Sequence, residues 1–394
     1  MNPPRSARVP RGVVALGLVS LLMDLSSEFV HALLPLYLAT AMGASMLAIG
    51  MIEGAAEAIA LTVKAFSGVL SDRVGRRKPL VIAGYGLAAL TKPVFALAPS
   101  IGWVAAARFA DRVGKGIRGA PRDALIADLT PPAARGLAYG LRQALDTVGA
   151  VLGPVAAMAA LAWLAGDFRA ALWLATIPAV LAVALVVLAV DEPEGRGRAN
   201  ARRLAFADAR RLPPAFWSVT GIAALMALAR FSEAFIVLRA ADAGLGVGGA
   251  PWVMVAMTLV YAASASPAGA ALDRGRGGAM LYGGLAALGA AHATLGFASG
   301  PMGVFCGAAL WGLHMGLTQG VLAAMVAAHA PADLRGSAFG VFYLASGAAT
   351  LVASLLAGAL WDAAGAPAAF ALGAVLAAAT AVALRTSRAA LARQ

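Results

Sequence analysis

The chain has 394 residues, of which 61% are hydrophobic and 13% are charged, whereas a soluble domain usually carries about 25% charged residues. Its formal net charge is +12, which in a soluble chain would suggest nucleic-acid binding. The low charge content and the mean hydropathy of +0.81 exclude an ordinary soluble domain and indicate a membrane protein.

Apolar runs long enough to cross about 30 Å of hydrocarbon as helices recur along the whole chain. We place twelve spans, centred near residues 25, 58, 88, 113, 148, 178, 226, 262, 288, 314, 347 and 377. Ala, Leu and Val dominate these runs and no strand-like alternation competes with them. The sequence therefore predicts an all-α membrane protein with twelve transmembrane helices.

Basic residues lie in alternate connections between the spans. They follow spans 2, 6, 8 and 10 and occupy both ends of the chain, whereas the turns near residues 43, 99, 299 and 364 contain no Lys or Arg. This positive-inside bias predicts a multi-pass protein of the cytoplasmic (inner) membrane with both termini cytoplasmic. It also accounts for the net charge without a nucleic-acid partner.

One long polar segment, residues 191–213, divides the spans into two sets of six. The sets are similar at an offset near 200 residues: GVLSDRVGRRK (68–78) matches GAALDRGRGG (269–278), and TPPAARGLAYG (130–140) matches APADLRGSAFG (330–340). The sequence thus predicts two pseudo-symmetric six-helix bundles, residues 1–190 and 214–394, joined by a cytoplasmic linker. Repeats of this kind place a substrate site between the halves at the membrane midplane.

Span 4 contains a charged stripe. At 100° per residue its basic side chains share one side, with Asp111 beside them: Arg108, Arg112, Lys115, Arg118 and Arg122. A charge that faces lipid costs at least about 2.5 kcal/mol, so the stripe must face protein or a wet cavity. Two interpretations stay open: a buried salt-bridge network, or an anion site on the arginines and lysine.

Other spans supply candidate partners for this stripe. They are Asp24, Glu28 and His31 on one face of span 1, Glu53 and Glu57 on span 2, and Arg142 and Asp146 one turn apart on span 5. The acids and bases of the first six spans nearly balance, so most of them are expected to pair. The span-1 face is alternatively a proton site or a divalent metal site that protonation would empty. The C-terminal half offers Arg230, Glu233, His314 and Gln319.

Two motifs resemble signatures of the major facilitator superfamily (MFS), and the resemblance extends over the whole chain. GVLSDRVGRRK fits the family's cytoplasmic signature at Gly68, Asp72, Arg73, Gly75, Arg76 and Arg77, and ARFADRVGKGIRGAPRD fits its span-4 signature, with Arg112 at a usual glycine. GAVLGPVAA (149–157) is similar to the family's span-5 antiporter signature at Gly149, Gly153 and Pro154. The resemblance implies the MFS fold, alternating access, a gate latch at the first signature and a cavity lined by spans 1, 4, 7 and 10.

Within that superfamily, LLMDLSSEFVHALLPLYL and DRVGKGIRGAPRDALIAD look like bacterial nickel-resistance exporters and their uncharacterised relatives, although this tail has no His. No P-loop and no nucleophile–base motif is present, so we expect neither an enzyme nor a cofactor and assign no catalytic residue. We expect a monomeric secondary transporter, with proton-coupled efflux of a divalent metal or drug-like solute. The alternatives are proton-coupled transport of an organic anion or metal chelate, and a non-transporting membrane sensor.

Overall fold

The computed structural model describes residues 10–74, 76–192, 206–331 and 334–391. Regular structure in these ranges is helical throughout, which confirms the predicted all-α class. The first half contains α1 (Arg11–Leu36), α2 (Met46–Val74), α3 (Lys78–Leu97), α4 (Ile101–Leu129), α5 (Arg135–Trp163), α6 (Phe168–Leu174) and α7 (Thr176–Ala189). The second half contains α8 (Pro214–Ala229), α9 (Ala234–Ala240), α10 (Gly246–Gly249), α11 (Trp252–Asp273), α12 (Gly277–Phe297), α13 (Pro301–His329), α14 (Arg335–Ala364) and α15 (Ala366–Leu391).

Within the described residues, eleven helical stretches are long and apolar enough to cross a membrane. The α6–α7 pair forms one of these stretches, and α8 to α10 form another. Helix α4 has 29 residues, enough to span, but its charged stripe sets it apart in composition. Counting α4 as a span gives the predicted twelve, and the chain is a multi-pass membrane protein.

The helix boundaries repeat at the offset that the sequence predicts. Helices α4 and α13 both have 29 residues and start at Ile101 and Pro301, and α5 and α14 start at Arg135 and Arg335. The first span of each half also contains a short segment with π-helical hydrogen bonding near its end, at Tyr37–Ala41 and at Ala241–Leu245, the latter kinked at Gly244. Two copies of one six-span plan therefore follow each other along the chain.

Packing divides the chain into two units. The first comprises Met1–Val30 and Phe66–Arg203, and the second comprises His31–Ala65 and Leu204–Gln394. The division by packing passes through α1 and α2, whereas the predicted division at 191–213 follows the sequence duplication. The predicted domain boundaries stay a prediction.

In the first unit, α3 packs along α4 and also contacts α6 and α7. The close approach of α3 and α4 depends on two glycines. A Cβ atom on Gly84 would lie 2.7 Å from the carbonyl oxygen of Gly114, and one on Gly114 would lie 2.6 Å from that of Gly84. Small residues at such a crossing let two spans pack backbone to backbone, where lipid gives little hydrophobic driving force.

In the second unit, α13 packs against α11 and α12, and α15 packs against α8 and α12. Its apolar core includes Ile222 and Met226 of α8, Leu285 of α12 and Val321 of α13. The start of α2 belongs to this unit and runs along α14, with Gly54 directly against Leu351 and Ser354. This packing places Glu57 and Lys64 of α2 beside the C-terminal helices.

Candidate functional site

The charged stripe of α4 is largely buried in the first unit. Arg108, Asp111, Arg112 and Arg118 are each no more than 4% exposed, whereas Lys115 is exposed. The stripe therefore does not present one uniform face to a cavity. Arg118 lies over the ring of Tyr85 with 4.8 Å between its Cζ and the ring centroid, an arrangement typical of a cation–π contact.

Asp111 is paired with a lysine from the neighbouring helix. Lys92 Nζ, on α3, lies 2.7 Å from Asp111 Oδ1 and 3.4 Å from Ser27 Oγ, and both charged side chains are almost fully buried. Arg112 Nε lies 3.9 Å from the other oxygen, Asp111 Oδ2. For Asp111 the expected pairing is confirmed, and its main partner is Lys92, which carries no sequence motif.

A second cluster joins α1, α4 and α5. Arg122 Nη1 of α4 donates a hydrogen bond to Ser20 Oγ at 3.1 Å and lies 3.9 Å from Asp146 Oδ1. Arg142 Nη1 lies 3.3 Å from Asp146 Oδ2, as the spacing of one turn predicts. The carboxyl group of Asp24, on α1, lies close to that of Asp146.

The Asp24–Asp146 contact has a direct chemical meaning. An ionised carboxylate only accepts hydrogen bonds, so two carboxyl groups can bond to each other only when one of them holds a proton. The cluster is therefore a place in which one proton can be held between α1 and α5.

The other residues of the predicted span-1 face lie elsewhere. Glu28 lies against α5, where a Cβ atom on Gly153 would come within 2.7 Å of Glu28 Cβ. His31 Nε2 lies 3.8 Å from Glu53 Oε2 in the second unit, and Glu53 is 4% exposed. Among the described residues, no three His, Cys, Asp or Glu side chains gather in a way that could hold a metal ion.

The basic end of the predicted gate-latch motif is tied down within the first unit. Gly68 lies on α2, while Gly75 and the side chains of Asp72 and Arg73 lie outside the described residues. Arg77 Nη1 lies 2.7 Å from Asp128 Oδ2 near the end of α4. The backbone N–H groups of Arg77 and Lys78 donate to Glu192, which also lies 3.9 Å from Arg76 Nε.

Sequence reasoning missed Asp128 and Glu192. Asp128 lies at the end of α4 and Glu192 follows the end of α7, and both ends are predicted to be cytoplasmic, like the basic α2–α3 loop. This shared position in the predicted topology could have identified them as partners of the loop. They connect the α2–α3 loop to α4 and to the end of α7. The role of this motif as a gate latch stays a prediction.

The second unit contains a cavity of about 330 Å³. It lies among α2, α8, α13 and α14, and it brings together three of the four candidates of the C-terminal half with one acid of span 2. The polar lining side chains include Glu57, Lys64, Arg230, His314, Thr318, Gln319, Tyr343, Ser346 and Thr350. Glu233 lies at the start of α9.

Arg230 lies where the seventh span is broken. Helix α8 ends at Ala229 and α9 begins at Ala234, so the backbone groups between them lack part of the usual helical hydrogen bonding. Side chains from two other helices supply partners. His292 Nε2 donates to the carbonyl oxygen of Ala229 at 2.8 Å, and the N–H of Ser232 donates to Ser354 Oγ at 3.1 Å.

Aromatic rings fix the position of His292. The ring centroids of Phe231 and Trp311 each lie 5.1 Å from that of His292, and that of Phe370 lies 5.9 Å away. Sequence reasoning assigned no functional role to His292 or Ser354. The break is thus built into the fold by packing and not by a local helix breaker.

Comparisons with known proteins agree with this architecture. The family model described as Major Facilitator Superfamily matches residues 16–239. An uncharacterized MFS-type transporter of Methanocaldococcus jannaschii is 30% identical over 373 residues, which cover 91% of each chain. An uncharacterized protein of Mycobacterium tuberculosis is 31% identical over 364 residues, 89% of this chain and 87% of that one.

Solved structures show the same fold. A crystal structure of a POT family transporter in complex with a thioalcohol-conjugated peptide superposes with a TM-score of 0.83, covering 97% of each chain. The sequence identity is 13%, so this likeness concerns the fold alone.

Proposed function

Because the chain belongs to the major facilitator superfamily, we propose that it is a proton-coupled secondary transporter that exports a small solute across the inner membrane by alternating access. In this proposal it acts as a monomer with both termini in the cytoplasm. The observation that carries the coupling is the proximity of the Asp24 and Asp146 carboxyl groups, with Arg122 and Arg142 beside Asp146.

The cluster around this pair links proton release to the packing of three helices. With one proton present, the two carboxyl groups are bonded and the cluster carries one negative charge from them. Loss of the proton leaves two repelling carboxylates, for which Arg122 and Arg142 are the adjacent counter-charges. The balance of attraction among α1, α4 and α5 therefore changes by a full charge with each proton.

The direction of transport is proposed from the segment next to this pair. Gly153, in the antiporter-like segment of α5, lies directly against Glu28 of α1, one turn beyond Asp24. The resemblance of this segment to the antiporter signature supports exchange of solute against protons rather than co-transport. The narrower assignment to nickel export rests only on the resemblance of spans 1 and 4.

The cavity of the second unit favours an organic solute. Its wall combines the apolar Met226 and Phe342 with the polar side chains named above, which suits a small organic molecule that has both apolar and polar groups. We therefore propose a drug-like organic solute as the exported class, with a divalent metal ion as the alternative cargo.

An accumulation assay tests the proposal. Cells that lack their own efflux pumps would express the protein, and uptake of ethidium, benzoate and labelled Ni²⁺ would be measured with and without a protonophore. We expect lower accumulation of one organic probe, restored by the protonophore and by Asp24→Asn, but not by the control Asp242→Asn at the end of the seventh span. Proton coupling would be refuted if neither the protonophore nor Asp24→Asn changed the accumulation of the probe.

A further inference from the structure

The cavity of the second unit has an excess of positive charge. Its charged lining consists of Lys64, Arg230 and Glu57, so the formal charge is +1 with neutral His314. Lys64 Nζ lies 4.7 Å from the centroid of the Tyr343 ring, a cation–π contact. An occupant that restores neutrality would carry a negative charge.

The guanidinium group of Arg230 is available to a molecule bound in this cavity. In the described part of the chain its guanidinium makes no hydrogen bond and no ion pair, although it is partly buried. Arg239, ten residues further on, is the contrasting case: its Nε donates to Leu295 O at 2.9 Å and its Nη2 to Ala298 O at 2.6 Å. Arg239 thus binds backbone carbonyl groups, whereas Arg230 presents its N–H donors to the cavity.

The position of Arg230 explains why its donors stay available. It follows the last residue of α8, outside regular helix, with φ −114° and ψ 90°. The neighbouring backbone groups are bonded to His292 and Ser354 rather than to Arg230. The break in the seventh span therefore presents a planar fork of N–H donors, which matches the geometry of a carboxylate or phosphate.

His314 adds an acceptor to the same cavity. Its ring is buried, and Nδ1 donates to the carbonyl oxygen of Gly284 at 2.9 Å. In the neutral ring this leaves Nε2 as an acceptor, suited to a hydroxyl or amide N–H of an occupant. Met226 and Phe342 provide apolar surface, and a volume of about 330 Å³ limits the occupant to a small molecule.

We propose that this cavity binds a small amphipathic organic anion, with its carboxylate or phosphate held by Arg230 and its apolar body lying against Met226 and Phe342. The proposal rests on the proposed transport function and narrows its substrate class. It gives the basic anion site a place in the second unit, separate from the stripe of α4.

Four probes that share an aromatic body and differ in charge test this assignment. The thermal unfolding midpoint of the purified protein in neutral detergent would be titrated with benzoate, phenyl phosphate, benzamide and benzyltrimethylammonium. We expect a saturable rise in the midpoint with both anions and none with benzamide or the cation. Stabilisation by the cation, or no stabilisation by either anion, would overturn the proposal.

Variants of Arg230 assign the effect to this residue. Arg230→Gln should raise the half-saturating benzoate concentration about tenfold or more, since a charge-assisted hydrogen bond is lost. Arg230→Lys keeps the positive charge, so it serves as a control for a folding defect caused by loss of that charge. It should weaken phenyl phosphate binding less than Arg230→Gln does. The control Arg274→Gln, an exposed arginine in the same unit, should bind as the unaltered protein does. Equal anion binding in the unaltered protein and both Arg230 variants would place the site elsewhere.

The two proposals fail in different ways. Anion binding that needs Arg230, together with accumulation that ignores the protonophore, would refute proton coupling and leave the anion site standing. Protonophore-sensitive export of ethidium without anion binding would support the transport function and refute the anion site.

Discussion

Asp362, near the end of α14, caps the first turn of α2: its Oδ1 accepts a hydrogen bond from the backbone N–H of Met46 at 2.9 Å, and its Oδ2 accepts one from that of Leu47 at 2.8 Å. The N–H groups at the start of a helix have no intrahelical partner, and the helix dipole favours a negative charge there. One side chain of the last third of the chain thus secures the start of the second span. In the proposed alternating-access cycle, this contact would form and break.

We expect Asp362→Ala to lower the free energy of unfolding by about 1 kcal/mol and to change the transport rate. The matched control is Asp167→Ala, because Asp167 caps α6 in the same way, with its Oδ1 2.9 Å from the N–H of Arg169. Both variants should lose similar stability in thermal unfolding, but only Asp362→Ala should alter transport. Equal transport by the two variants would show that the Asp362 contact is a simple helix cap.

The buried Lys92–Asp111 pair predicts an asymmetry between two substitutions. Asp111→Asn keeps an acceptor oxygen but removes the counter-charge of the buried Lys92 ammonium, so we expect a loss of roughly 3 kcal/mol. Lys92→Met leaves Asp111 near Arg112 and should cost less, about 1 to 2 kcal/mol. Thermal unfolding of the two variants measures the difference, and a greater loss in Lys92→Met would contradict this account of the pair.

The two arginines of the gate-latch motif should differ in importance. Arg77 contacts Asp128 at 2.7 Å with its side chain 20% exposed, whereas the Arg76 side chain is 76% exposed and lies 3.9 Å from Glu192. Exposed ion pairs contribute little, so we expect Arg77→Gln to slow transport several-fold and Arg76→Gln to change it little. Transport assays of both variants, with Asp128→Asn as a third, test this. Normal rates in Arg77→Gln and Asp128→Asn would rule out a role for the contact.

His292 should matter for stability through the carbonyl group that it satisfies. His292→Leu leaves the oxygen of Ala229 without this donor in a buried position, and we expect a loss of about 1 to 3 kcal/mol. His329→Leu is the control, because His329 bonds only to a carbonyl group of its own helix, that of Met325. An equal loss in the two variants would mean that the hydrogen bond at the break contributes little.

The sequence predicted features that depend on local periodicity. The apolar runs located the spans, the offset near 200 residues anticipated the paired boundaries of α4 and α13, and a spacing of one turn identified the Arg142–Asp146 contact. These properties are visible along one helix. The proximity of Asp24 and Asp146 was not, because it depends on how α1 packs against α5.

Contacts between distant helices escaped prediction for the same reason. Lys92 reaches Asp111 because α3 and α4 approach closely at Gly84 and Gly114, and neither glycine reveals its partner in the sequence. The break in the seventh span is a clearer case. MALARFSEAF (226–235) contains no Pro or Gly, and the side chains that stabilise the break stand 63 and 122 residues away.

That break makes the seventh span two helices joined by a hinge rather than one continuous helix. The carbonyl group of Ala229 and the N–H of Ser232 are bonded to the side chains of His292 and Ser354. A change in the angle between α8 and α9 therefore does not require a helical turn to unwind. Arg230 lies at this hinge, directly after the last residue of α8. A force on its guanidinium therefore acts at a break of the span, where a small displacement becomes a change of angle.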